Sequence, residues 1–135
     1  MDDIQARIDS FLAAPAFGVV GASTNRAKYG NKVLRCYQQN RREAWAVNPN
    51  EKSVEGAPTV AAVTDLPPQV EAISIITPPP VTEKVVEAAI KKGIRHVWMQ
   101  PGAESDTAIE ACEKAGVNVI GDGSCLLVVM GYHDH

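Results

Sequence analysis

The sequence lacks most of the features that would assign it to a class at sight. Its three cysteines, Cys36, Cys112 and Cys125, are an odd number without CxxC spacing or closely placed histidines, so neither a disulfide framework nor a zinc site is expected and the thiols are read as reduced. There is no basic excess either. Thirteen Lys and Arg interspersed with 16 Asp and Glu give a net charge of −3, which leaves no broad surface for nucleic-acid phosphates. Apolar runs such as Leu126 to Met130 fall far below the roughly 20 residues that span a bilayer, so no membrane partner is expected. The opening Met1-Asp2-Asp3 is acidic where a secretory leader is basic, and a cytoplasmic location is expected.

What is present is an ordinary globular balance: 45% apolar residues, with Gly and Pro spread along 135 positions, read as one domain over 1–135. Ile4, Ile8, Phe11 and Leu12 fall at helical spacing ahead of Pro15. The pattern then turns to a compact apolar strand, Phe17 to Gly21, a polar loop from Ala22 to Tyr29, and renewed helical spacing at Val33, Leu34 and Tyr37. Further strands are read at Ala44–Val47, Ala72–Ile76, His96–Gln100 and Val117–Ile120. A helix from about Val81 stops at Gly93, another runs through Ala108, Ile109 and Cys112 to Gly116, and a helical turn is placed within Thr59–Leu66. Apolar strands alternating with amphipathic helices indicate an α/β fold, a Rossmann-like doubly wound parallel sheet of about five strands in three α/β/α layers.

In such sheets ligands bind outside the carboxyl ends of the strands, at the switch in strand order. Four strand ends here are rich in Gly, Pro and small polar residues: Gly21-Ala22-Ser23, Asn48-Pro49, Thr77-Pro78-Pro79-Pro80 and Gln100-Pro101-Gly102. In the first loop Gly21 lets backbone come close to a phosphate, Ser23, Thr24 and Asn25 offer donors, and Arg26 and Lys28 offer charge, ahead of a helix beginning near Gly30 or Asn31. The same loop also reads as a tight turn with solvated basic residues. Arg35, Arg41 and Arg42 are placed on or after the helix, away from the loop. The dinucleotide fingerprint G-x-G-x-x-G is missing, and Asn48-Pro49 stands where a NAD site wants an acid.

Catalytic groups are scarce. His96 opens a strand, His133-Asp134-His135 stands at the end of the sequence, and Cys125 follows Asp122-Gly123-Ser124 at the sheet's carboxyl edge without a base nearby in sequence. Cys125 reads either as an exposed, reactive thiol or as part of a turn into the apolar stretch that follows. Trp45 and Trp98 are read as core or helix-facing. No catalytic residue and no metal ligand is assigned, and no enzymatic activity is expected.

The run Val19-Val20-Gly21-Ala22-Ser23 with Lys28 and Gly30, then Ala46-Val47-Asn48-Pro49, Val54-Glu55-Gly56, Leu66-Pro67, Val97 to Gly102 and Ala115-Gly116-Val117, resembles the small stand-alone CoA-binding proteins. Those are similar to the N-terminal domain of the succinyl-CoA synthetase α subunit and of ADP-forming acyl-CoA synthetases. The resemblance spans about Phe17 to Cys125 and implies CoA or acyl-CoA as ligand. It implies contacts from Ser23, Thr24, Asn25 and Arg26, from Gln100, Pro101 and Gly102, and from Lys52 as the nearest candidate for a lysine after the second strand, with Thr77 to Pro79 beside the pantetheine arm. Where stand-alone members often end in Asp-Arg-Cys, this chain has Asp122-Gly123-Ser124-Cys125, so no role carries over to that cysteine. The synthetases' phosphorylated histidine and nucleotide-grasp parts lie in domains without counterpart here, and the resemblance implies binding without ligase activity. The alternatives are an NAD(P)-binding oxidoreductase and a regulatory or interaction subunit with a vestigial nucleotide site; a homodimer or an acyl-CoA enzyme as partner stays open.

Overall fold

The computed structural model describes residues 3–134; the acidic Met1-Asp2 and His135 lie outside them. The chain runs α1 (Ile4–Leu12), β1 (Ala16–Val20), α2 (Tyr29–Gln39), β2 (Glu43–Val47), β3 (Thr59–Val60), a 3-10 turn (Val63–Asp65), β4 (Val70–Ile75), α3 (Pro79–Lys92), β5 (His96–Met99), α4 (Asp106–Lys114), β6 (Asn118–Ile120) and α5 (Leu126–Met130). All strand pairs are parallel, in the order β3-β2-β1-β4-β5-β6. The expected Rossmann-like sheet is therefore present, with six strands rather than about five. The sixth is β3, two residues long, at the start of the segment read as a helical turn. Only Val63–Asp65 of that segment is helical.

Side chains on successive strand residues point to opposite faces, which divides the core in two. Phe17 and Val19 of β1, Ala72 of β4 and Trp98 of β5 pack with Phe11 of α1, Val33, Leu34 and Tyr37 of α2 and Leu126 of α5. Ala16, Val20, Ile73, Ile75, Val97 and Met99 face the other way, onto Val86 and Ala89 of α3 and Ala108 and Cys112 of α4. Trp98 is wholly buried, its indole N–H donating to the Ser124 carbonyl at 2.9 Å, and Trp45 is half-buried. The apolar stretch after Cys125 is a short helix. Its Leu126 is buried while Val128 and Val129 are exposed.

Local signals set the helix ends. Pro79 opens α3, where its missing N–H costs nothing, and Gly93 closes it with φ at 93°. Ser105 caps α4 by accepting from the Ala108 N–H. Among the described residues no helix is long and apolar enough to cross a membrane.

Candidate functional site

The strand order reverses between β1 and β4, and there the turn after β1 is packed backbone to backbone. Gly21 sits at φ 95°, and a Cβ there would run into the Ile76 carbonyl. A Cβ on Gly30 would run into the carbonyl of Gly21. Both glycines are thus required by chain meeting chain: the first turn of α2 rests on the turn after β1, which rests on the end of β4.

A cleft of about 740 Å³ opens beside this packing. Its floor and near wall come from Val20, Gly21, Ala22 and Ser23, from Lys28 to Gly30, and from Val47 to Asn50. Ala61 to Thr64, Ile76, Thr77 and the Val81, Lys84, Val85 and Ala88 face of α3 complete it. The lining is largely aliphatic, with two lysines at its margin. Neither Lys28 nor Lys84 has an ion-pair partner among the described residues.

Polar side chains hold the first loop from beneath. Asn31, fully buried, donates to the Ser23 carbonyl at 2.8 Å and to Glu55 at 3.0 Å. Arg35, only 5% exposed, donates to Asn31 Oδ1 at 2.6 Å and to the Arg26 carbonyl at 3.0 Å. Arg26 itself pairs with Glu55 at 3.3 Å, and Asn48 donates to the Ala22 carbonyl at 2.9 Å. Arg35 is therefore part of the loop's support, which corrects its placement away from the loop. Arg42 donates to the carbonyls of Leu12 and Ala14 and lies over the Phe17 ring, and Arg41 is exposed. The C-terminal segment joins the support. Asp134 lies 3.7 Å from Arg35 and 3.5 Å from Lys32, the Tyr132 ring faces the Arg35 guanidinium, and His133 exchanges backbone bonds with the Gln39 amide.

Of the residues read from the sequence, Gly21, Ala22, Ser23, Lys28, Asn48, Pro49 and Thr77 line the cleft. Thr24, Asn25 and Arg26 sit on the exposed crest of the same loop, where Ser23 Oγ accepts from the Asn25 N–H and Asn25 Oδ1 from the Ala27 N–H. Lys52, Pro78 and Pro79 are exposed and outside the lining. The fourth strand end is not brought into it. Pro101 and Gly102 are exposed, and Gln100 is wholly buried, accepting from the Tyr29 hydroxyl at 3.1 Å and the Leu126 N–H at 2.9 Å. Tyr29 lines the cleft, and its hydroxyl also contacts the Cys125 thiol. Burial, and then that contact, push the Tyr29 phenol well above its ordinary value. Lining residues that the sequence reading passed over include Tyr29, Ala61 to Thr64 and Lys84. Lys84 carried a signal: it is one helical turn from Val81 and Ala88, on the face that α3 turns to the cleft.

A doubly wound parallel sheet with an apolar, lysine-edged cleft at its switch point is the architecture of a nucleotide-binding domain. Residues 16–130 match the model of the CoA binding domain, and the chain belongs to that family. It is 25% identical over 118 residues to an ADP-forming acetate-CoA ligase of Archaeoglobus fulgidus, a match covering 80% of this chain and 17% of that protein. The chain thus spans about a sixth of that ligase's length. Among solved structures, a conserved hypothetical protein of Pyrococcus furiosus is 38% identical with a TM-score of 0.80, covering 84% of this chain and 97% of that one. A hypothetical protein of Pyrococcus horikoshii superposes with a TM-score of 0.85 at 24% identity over 95% of both chains, a likeness of fold.

Proposed function

We propose that this chain binds CoA or acyl-CoA in the cleft without catalysis of its own. The observation that carries the reading is the cleft itself: an aliphatic trough whose ammonium groups, Lys28 and Lys84, are uncompensated, beside a turn whose shape is fixed by Gly21 and Gly30. An amphipathic anion fits such a trough. Apolar walls take a base and an extended arm, while the lysines and the first-turn N–H groups of α2 favour phosphate. Ser23, Asn48 and Thr77 are the polar groups we assign to orient it, and Thr24, Asn25, Arg26 and Lys52, exposed outside the lining, are assigned to ligand parts that project beyond the cleft. Gln100, Pro101 and Gly102 stand beyond Tyr29, on the side toward β5.

Melting curves with CoA, NAD, NADP and ATP in parallel test the proposal. Ligand at a hundred times its dissociation constant adds about 2.7 kcal/mol to the folded state by linkage. CoA is expected to raise the midpoint well above the other three. A shift with NAD and none with CoA would overturn the reading in favour of a dehydrogenase domain.

A further inference from the structure

Three thiols occur in the chain, and one of them is placed differently from the others. Cys36 and Cys112 are buried, and burial pushes both up to about 11, so they stay protonated and inert. Cys125 is partly exposed at the carboxyl edge of the sheet, against the hydroxyl of a tyrosine that lines the cleft. Beside it the structure leaves a polar group unmatched. Gln100 is 0% exposed, and its carbonyl oxygen is taken by the Tyr29 hydroxyl and by the N–H of Leu126, the residue next to Cys125. Its Nε2, on the same amide and so in the same cluster, has no acceptor. A buried donor without a partner is costly and calls for a reason. What it lacks is an acceptor such as an amide carbonyl.

Resting on the reading that the cleft holds a pantetheine nucleotide, we propose that Cys125 is a thiol–disulfide exchange site for the thiol end of that ligand. The co-reactant is the ligand's own disulfide form. Cys125 loses its proton to solvent and its sulfur attacks one sulfur of the disulfide; a Cys125–ligand S–S bond forms, the original S–S bond breaks, and the departing thiolate takes up a proton. No further oxidant enters, because the Cys125 sulfur is oxidised to the disulfide level as the departing ligand sulfur is reduced to a thiol. The Tyr29 hydroxyl, in contact with the Cys125 sulfur, positions it, and Gln100 Nε2 gains its acceptor from the amide carbonyl of the arm. The adduct would hold the ligand covalently under oxidising conditions and release it to reductant.

The experiment incubates the intact chain, free of reductant, with CoA disulfide or with glutathione disulfide at equal concentration, followed by intact-mass measurement and peptide mapping. The expected result is a single adduct on Cys125, reversed by dithiothreitol and absent in Cys125→Ser. It should form at least about tenfold faster with CoA disulfide, because binding in the cleft raises the local concentration of the reacting sulfur. No adduct, an adduct on Cys36 or Cys112 instead, or equal rates with both disulfides would overturn the proposal. Calorimetric titration of reduced CoA into Cys125→Ser separates the two readings. If CoA binds there while the parent forms no adduct, the exchange site alone fails; if CoA does not bind, the reading of the cleft fails.

Discussion

Replacing Gly30 by alanine puts the packing at the switch point to a direct test. Two effects oppose each other. Alanine favours a helix over glycine by up to about 1 kcal/mol, and Gly30 is the second residue of α2, so on propensity alone the change would stabilise. Against this, the new methyl would meet the carbonyl carbon and oxygen of Gly21 and the Cα of Ala22, all of them backbone. Gly21 cannot retreat, because it is itself pressed against the Ile76 carbonyl. Overpacking against atoms that cannot yield costs about 1–3 kcal/mol, more than the propensity gain, and the net expectation is a loss of about 1–2 kcal/mol. With an unfolding entropy of about 2.1 cal/mol/K per residue, each kcal/mol moves the midpoint of this chain by roughly 3–4 °C, so Gly30→Ala should melt roughly 4–7 °C below the parent. The first loop would shift with it and weaken CoA. Gly56→Ala is the control: its Cβ would meet nothing, and only the strain of φ at 73° applies, about 1 kcal/mol, with no change in ligand affinity. Differential scanning calorimetry with parallel titrations reads both. A Gly30→Ala variant as stable as the parent would refute the claim that α2, β1 and β4 meet through bare backbone.

Arg35→Ala should cost about 2–3 kcal/mol, because it removes a charged donor from Asn31 and from the Arg26 carbonyl in a buried setting, and CoA affinity should fall severalfold as the loop loosens. The exposed Arg41→Ala should leave urea midpoint and affinity unchanged. Lys28→Ala and Lys84→Ala should each weaken CoA about two- to fivefold at low salt, with the difference fading at high salt, since both ammoniums are exposed and screened; an unchanged titration would remove that lysine from the site. His96 is held below its ordinary pKa by burial, so the folded state resists a proton that the unfolded chain accepts. Its contribution is therefore present above about pH 6.5 and is lost as pH falls toward the lowered folded value, and urea titrations from pH 7.5 to 5.5 should show that limb flattened in His96→Gln.

The sequence by itself determined the layers and where the chain turns. Strands such as Phe17–Val20 and Ala72–Ile75 are legible because a strand buried on both faces is nearly all apolar, the buried Ser74 being matched by the Tyr37 hydroxyl, and Pro79 and Gly93 mark the ends of α3 because each suits only one end of a helix. The glycine-bearing loop before α2 was legible for the same local reason. Short or distant features were decided only by tertiary structure. The edge strand β3, two residues of Thr59–Val60, is too brief to show a period, and its pairing with Ala46 and Val47 defines it. Arg35 looks like any helix-surface arginine until the turn of α2 carries it beneath the loop, where burial among Asn31 and the Arg26 carbonyl gives it a role. Gly21 and Gly30 are visible as glycines, but that they face backbone of other elements emerges only when β1, β4 and α2 meet. Tyr29, Gln100 and Cys125 lie up to 96 positions apart, and no local pattern links them. Periodicity reports which face of an element is buried; which side chains meet across elements depends on strand order and register, and these are set by the packing of the whole sheet.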